Sequence, residues 1–326
     1  MAGGHERPGD AVVIVDVVAL ALGVAIIVWG AESFAEHLAA AAARLGVTSF
    51  ALALLLAGAE PEELATAVTA TLRDAPAIAL GDVVGANAAI CLVALGVGAV
   101  VAPLPFGARV RRYALFGVPA GAVSVAAAWD GRVGRVEGGV LVAMYAAYVA
   151  AIWIRERQRP ALGEAGELAE PREGSERGRA GRDLAMVLAG LAAMVVGATV
   201  LVEAVRGLAG ADDSQARLSL TIVGFATAFE LVVLAWSAAR RGISEAVVAA
   251  VVGSFAYNAT MTLGAAALVR PLRIADAGVI RAPLVAMLVA FALPIVVTWR
   301  TGRLDRRSGV VLLAAYPLFI AVALVA

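Results

Sequence analysis

No lysine occurs in this 326-residue chain: all 26 of its basic residues are arginine, and 26 acidic residues bring the formal net charge to +0. Without a basic excess there is no electrostatic case for a nucleic-acid partner. Cysteine is reduced to Cys91, inside an apolar run, so no internal disulfide can form and the redox compartment is unreadable. The two histidines, His5 and His37, are too few and too far apart for a zinc site. One thiol and two imidazoles offer no nucleophile and base pair, which argues against an intramembrane enzyme. A glycine-rich loop ending in Gly-Lys-Ser/Thr is absent, so direct ATP coupling within the chain is not expected. No cofactor is implied.

What the chain has instead is apolar length. Hydrophobic residues make up 62% of it and the mean hydropathy is +0.89, which makes the bilayer the expected solvent. Runs of about 17 to 25 apolar residues, enough to cross roughly 30 Å of hydrocarbon, fall near 11–36, 46–72, 76–102, 110–129, 136–155, 183–207, 217–239, 244–269, 277–299 and 308–326. The first lacks a small-x-small cleavage site and reads as an uncleaved helix. Between the fifth and sixth, residues 155–182 are rich in Arg, Glu, Gly and Pro and read as a flexible connector. The expected organisation is a five-helix unit over 1–154, a cytoplasmic loop over 155–182 and a second five-helix unit over 183–326.

The halves repeat each other. At an offset of 168 residues, Val83–Leu104 overlays Val251–Leu272 without a gap, and ten of the 22 pairs are identical. The same offset places Glu62 on Glu230, each a carboxylate inside an apolar stretch. Ionisable side chains at membrane depth are costly and are usually kept for an ion or proton pathway, so two matched acids point to one shared site. An odd number of spans per repeat makes the second half enter the membrane from the opposite side, giving inverted repeats. With both termini outside, 17 arginines fall on the cytoplasmic side against nine outside, and the excess depends on the seven in the central loop. Both termini are therefore expected to be extracytoplasmic, in the cell membrane of a prokaryote-like cell.

The residues around the matched acids resemble a known family. Ala57-Gly58-Ala59-Glu60-Pro61-Glu62-Glu63-Leu64 with Gly81-Asp82-Val83-Val84-Gly85-Ala86-Asn87, and Gly224-Phe225-Ala226-Thr227-Ala228-Phe229-Glu230-Leu231 with Gly253-Ser254, are similar to the two alpha repeats of the calcium/cation antiporter superfamily. This is the sodium/calcium exchanger membrane region, with a Gly-Thr-Ser-x-Pro-Glu-Leu motif on one broken helix and Gly-Asn-x-x-Gly-Ser-Asn on the next. The resemblance covers about Gly30–Leu104 and Glu203–Leu272. It implies an all-α membrane protein of ten transmembrane helices in two inverted five-helix repeats. It also implies an alternating-access antiporter with carboxylates at the membrane midplane. The family's first-repeat hydroxyls appear here as Ala59 and Glu60, its Ser as Ala86 and a later Asn as Ile90. In the second repeat Phe255 replaces the Asn after Ser254, while Thr227, Glu230, Ser254 and Asn258 remain. In the family register Glu63 is the direct match for the motif's glutamate, but Glu62, the acid with an internal partner, is the expected first-repeat ligand, paired with Glu230 as midplane ligands or proton carriers, with Glu63 as the competing position.

The residues also carry a chemical argument of their own. Gly58 and Pro61 weaken the helical ladder beside the acids, freeing backbone carbonyls as cation ligands if the segment lines a cavity. Glu60 and Glu63 are three apart and would share a helical face, as would Thr227 and Glu230, and Ser254 and Asn258 four apart. This oxygen-rich, nitrogen-poor set, Glu62, Glu63, Glu230, Thr227, Ser254, Asn258 and Asn87, suits a hard cation or a proton. Its side-chain oxygens look sparse for calcium, which takes about six to eight. The opposing readings are an inert solvated loop for the three clustered acids and interhelical hydrogen bonding for Thr227, Ser254 and Asn258. Asp16, Glu32, His37, Asp82 and Glu245 are assigned to interfaces or helix ends. The expected function is a secondary cation antiporter working against sodium or protons, with the lipid bilayer and small inorganic cations as partners. The alternatives are a degenerate, non-transporting scaffold of the same fold, or a sodium/calcium exchanger proper.

Overall fold

The computed structural model describes residues 8–44, 60–156, 180–241 and 245–326. It is mostly helical, and eight stretches among the described residues are long and apolar enough to cross a membrane. They correspond to eight of the ten runs read from the sequence. Of the second run only the part from Glu60 onward is described, as α2 (Pro61–Leu72), after the long α1 (Pro8–Arg44). The fourth is a 21-residue helix, α5 (Ala108–Ala128), whose first turns carry Arg109, Arg111 and Arg112. The central connector, with residues 157–179, lies outside the described residues.

Prolines set two helix starts. Pro61 begins α2, and Pro76 begins α3 (Pro76–Ala89), positions where the missing N–H costs nothing and the fixed φ is already helical. The helix begun by α3 continues through a π-helical turn, Ile90–Ala94, into α4 (Leu95–Val101). After α5 come α6 (Arg135–Glu156) and α7 (Ala180–Ala209). The next span is assembled from α8 (Asp212–Leu218), a π-turn at Ser219–Val223, α9 (Gly224–Thr227) and α10 (Phe229–Arg241). The one after joins α11 (Glu245–Ala256), a π-turn at Tyr257–Thr262 and α12 (Leu263–Val269). Two long helices, α13 (Gly278–Thr298) and α14 (Arg306–Val325), complete the chain. Asp305 caps α14 by accepting from the Ser308 amide at 2.9 Å.

Buried and lipid-facing helices differ as a membrane protein requires. Every residue from Ala77 to Gly96 is buried, so α3 and its continuation form the centre. Val12, Val13, Ile14, Val15, Leu22 and Trp29 of α1 are exposed, as are Leu184, Leu188, Leu191 and Val196 of α7. Helices α1 and α7 pack along each other at the periphery. Their crossing depends on glycines: a Cβ on Gly23 would lie 2.9 Å from the Gly197 carbonyl, and one on Gly30 2.8 Å from that of Gly190.

The halves hold each other through exchanged contacts. Strand β1 (Leu104–Pro105) pairs antiparallel with β4 (Arg303–Leu304), and β2 (Arg132–Val133) with β3 (Leu272–Arg273). At the 168-residue offset β1 becomes β3, so one pairing maps onto the other. The π-turn at Ile90–Ala94 maps onto the one at Tyr257–Thr262 in the same way. The helix contacts follow the pattern: a Cβ on Gly264 of α12 would lie 2.7 Å from the Gly138 carbonyl of α6, and one on Gly96 of α4 2.9 Å from the Leu313 side chain of α14. A side chain can move aside and a carbonyl cannot, so the matched glycines should differ in tolerance. Gly264→Val is expected to cost about 1–3 kcal/mol through overpacking, and Gly96→Val less. Thermal unfolding of the two purified variants measures the order, and equal losses would contradict it.

Candidate functional site

Two helix breaks bring the acids inside. Glu60 sits as the N-terminal cap residue of α2, followed by Pro61, so Glu62 and Glu63 occupy the first helical turn. In the other half α9 ends at Thr227, Ala228 turns, and α10 starts at Phe229 with Glu230 in its first turn. The unpaired N–H groups of a helix start carry positive partial charge, which favours carboxylates there. Ala57, Gly58 and Ala59 lie outside the described residues, so the observed break is the one at Glu60–Pro61.

Between these starts lies a cluster shared by both halves. Glu60, Glu63 and Asp82 are fully enclosed at 0% exposure, Glu62 is at 1%, and Glu230 is half-buried. Ser254 Oγ donates to Glu60 Oε1 at 2.5 Å, and Thr227 Oγ1 donates to Asp82 Oδ1 at 3.0 Å. Each of these bonds crosses from one half to the other. Glu63 stands between Asp82 and Glu60, facing Thr227 and Asn258, while Glu60 also faces Glu230. Neither oxygen of Glu63 makes a well-formed hydrogen bond, and Glu60 Oε2, Asp82 Oδ2 and Asn258 Nδ2 are likewise unsatisfied and buried. Asn258 Oδ1 is occupied by Thr262, whose hydroxyl donates to it at 3.1 Å. Buried polar groups without partners are costly, and their concentration here singles the cluster out as the candidate site.

The sequence-derived set is therefore gathered unevenly. Glu63, Glu230, Thr227, Ser254 and Asn258 surround the cluster. Glu62, the expected first-repeat ligand, is buried in the same helical turn, and the Tyr257 ring faces it as well as Glu60 and Glu63. Asn87 is fully buried, but its amide nitrogen meets the Met287 sulfur at 3.6 Å, joining α3 to α13. Two members had no place in the set. Asp82 lies seven residues into α3 and inside the cluster, not at the interface or helix end assigned to it, and Glu60 bonds Ser254 directly. The solvated-loop reading of the three acids fails on their burial.

The donors divide by half. Glu60, Glu63 and Asp82 come from the first half and meet Ala228, Leu231 and Ala250 at the matched positions. Thr227, Ser254 and Asn258 come from the second and meet Ala59, Ala86 and Ile90. One half brings most of the charge and the other the neutral oxygens. No arginine is among the charges acting on Glu60, Glu63 or Asp82 among the described residues. Nor do three carboxylate, thiol or imidazole side chains converge there as a ready-made metal cage. Any bound cation must also draw on hydroxyl, amide or backbone oxygen.

Broken helices whose first turns carry buried acids, packed across two matched halves of a multi-pass bundle, define an ion-transporting membrane protein. The chain belongs to the sodium/calcium exchanger protein family, whose sequence pattern matches residues 15–154 and 183–325. The sodium/calcium exchanger MaX1 of Methanosarcina acetivorans is 33% identical over 94 residues, 28% of this chain and 27% of that one. Membrane protein MJ0091 of Methanocaldococcus jannaschii is 23% identical over 299 residues, 90% of this chain and 91% of its own. Inner membrane protein YrbG of Escherichia coli is 23% identical over 322 residues, covering 93% and 94%. In three dimensions the sodium-calcium exchanger NCX_Mj, in a crystal soaked with sodium and strontium, is similar with a TM-score of 0.60. It is 21% identical, and the match covers 95% of this chain and 98% of that one. Family and fold together support cation antiport across a membrane.

Proposed function

We propose that this protein is a secondary active cation antiporter in which the cluster around Glu63 exchanges a metal cation for protons or sodium by alternating access. The observation that carries the reading is the concentration of Glu60, Glu63 and Asp82 in one buried site, with the half-buried Glu230 facing Glu60, lined by hydroxyls and an amide; among the described residues no arginine acts on those three buried acids. Such a site requires mobile positive charge, because buried carboxylates without compensation are strongly unfavourable. Glu63, Glu230, Thr227, Ser254 and Asn258 would ligate the cation, with Glu60 and Asp82 beside them. Glu62 and Asn87 would form the flanks toward Tyr257 and Met287. Glu60 stands at a family hydroxyl position and Asp82 at the family motif's Asn, so side-chain oxygens are not scarce; carboxylates are in surplus. That surplus favours protons as one coupling ion.

The proposed architecture is ten membrane spans in two inverted five-helix repeats, 1–154 and 183–326, joined by a cytoplasmic loop at 155–182. The exchanged strand pairs and glycine contacts support the inverted relation, and the arginine bias supports extracytoplasmic termini in the cell membrane. A Ser175→Cys substitution in a Cys91→Ala background should resist an impermeant thiol reagent applied to intact cells, and react once the membrane is opened. Ready labelling on intact cells would invert the orientation.

The function is tested by ion uptake into proteoliposomes with sodium and pH gradients imposed separately. A non-transporting scaffold gives no flux under either gradient.

A further inference from the structure

The two ends of the molecule are built alike. At one end β1 pairs with β4, Arg306 Nε donates to the Val100 carbonyl at 3.0 Å, and the Arg111 guanidinium lies over the Trp299 ring at 5.7 Å. At the other β2 pairs with β3, Arg135 Nε donates to the Leu268 carbonyl at 3.2 Å, and Arg281 lies over Trp129 at 5.9 Å. Gly302 and Gly131, at φ 64 and 77, turn the chain after each tryptophan, a left-handed conformation that suits glycine.

Their charge is not alike. The β1–β4 end carries Arg109, Arg111, Arg112, Arg300, Arg303, Arg306 and Arg307 within residues 100–112 and 298–308, against a single acid, Asp305. The corresponding stretches at the β2–β3 end hold five arginines against Asp130, Glu137 and Asp276, and Arg270 there is further paired with Asp74. Arg300 follows Trp299 where Asp130 follows Trp129, and Arg307 follows Arg306 where Val136 follows Arg135. The same scaffold therefore stands at the far end without this excess, so the fold does not demand it. Arg300, Arg303 and Arg307 are exposed. Asp305 meets only part of this charge: the Ser308 amide and hydroxyl, then Arg307 and Arg303, hold its carboxyl below the ordinary carboxylate value, so one ionised acid, the cap of α14, stands against seven arginines.

Trp299, 58% exposed, sits beside these arginines at the end of a membrane-spanning helix, the level at which indole rings meet lipid headgroups. We propose that the β1–β4 end is a binding surface for anionic phospholipid, in which Arg300, Arg303 and Arg307 hold the headgroup phosphate and Trp299 lies against the glycerol and upper acyl chain. Arginine is suited to this because its planar donors fork onto phosphate oxygens. Basic surfaces between membrane helices recognise acidic headgroups by the same chemistry. The inference concerns an interaction of the outer shell and does not depend on which ion the buried cluster carries.

The full-length protein in mild detergent is titrated with phosphatidylglycerol or phosphatidylcholine, and retained lipid is counted by native mass spectrometry. Phosphatidylglycerol should be retained at least about tenfold more than phosphatidylcholine, since each arginine near an acidic headgroup contributes roughly fivefold. Arg300→Gln/Arg303→Gln/Arg307→Gln should remove most of that preference, while Arg132→Gln/Arg273→Gln at the opposite end should keep it within about twofold. Should the triple variant fail to fold, Arg307→Gln alone is expected to lower the preference two- to fivefold. Equal retention of both lipids, an unchanged preference in the folded arginine variant, or equal losses at both ends would overturn the proposal. So would displacement of the lipid by inorganic phosphate at matched concentration, which would identify a free-anion site instead.

Discussion

Glu63→Gln and Glu230→Gln proteins should insert and fold normally yet lose cation exchange in proteoliposomes by about a hundredfold or more, a loss of some 3 kcal/mol of transition-state stabilisation. The substitution preserves size and removes only the ionisable group. Glu63 sits between Asp82 and Glu60 with neither oxygen well bonded, so nothing in the fold relies on its charge. Removing one of several neighbouring buried carboxylates relieves repulsion, and thermal unfolding should be unchanged or shifted upward. A group that is structural would show the opposite pairing, lower stability with exchange retained. Glu62→Gln discriminates the two registers of the first repeat. Glu63 lies between Asp82 and Glu60 and faces Thr227 and Asn258, so Glu62→Gln is expected to keep a larger share of activity than Glu63→Gln. Normal exchange in Glu230→Gln would remove the shared-site argument altogether.

The architecture was legible because the bilayer writes it into composition. A span needs a long apolar run whatever it packs against, and the described helices follow the runs closely, as α13 (Gly278–Thr298) follows 277–299. Self-comparison likewise located the neighbourhood of the site, since Glu62 and Glu230 both prove to lie in the first turn of a helix that starts inside the bundle. It failed on the chemistry for a definite reason. Matching one half to the other finds what both share, and the cluster is made of what they do not. Glu60, Glu63 and Asp82 meet Ala228, Leu231 and Ala250 at the matched positions, so an internal alignment treats them as noise. The family motif held the missing signal, because Asp82 falls on its Gly-Asn pair and Glu60 on a hydroxyl position. The pairing of Glu60 with Ser254 and of Asp82 with Thr227 joins residues 194 and 145 apart, which no local spacing can reveal.

Acid-inside proteoliposomes should take up the transported cation, and abolishing the proton gradient with a protonophore should reduce uptake at least about tenfold. The reason is charge. Buried like charges without compensation are strongly unfavourable. Three neighbouring pairs, Glu60 with Glu230, Glu63 with Asp82 and Glu63 with Glu60, would each set like charges against one another if all were ionised. The cluster therefore cannot pass between the two faces of the membrane with every carboxylate ionised and uncompensated. When the metal cation leaves, another positive charge has to enter. Sodium can meet part of that need, but the neutral oxygens of Thr227, Ser254 and Asn258 are few, and a proton needs only one carboxylate oxygen. Glu60 and Asp82, carboxylates where the family motifs carry neutral side chains, add two further groups able to take one. Glu60→Ser and Asp82→Asn, which restore those neutral types, should shift coupling away from protons and toward sodium, with cation uptake becoming less sensitive to the imposed pH gradient. Vigorous sodium-driven calcium exchange by the unmodified protein, flat from mildly acid to mildly alkaline pH and indifferent to a protonophore, would show that sodium alone neutralises the cluster.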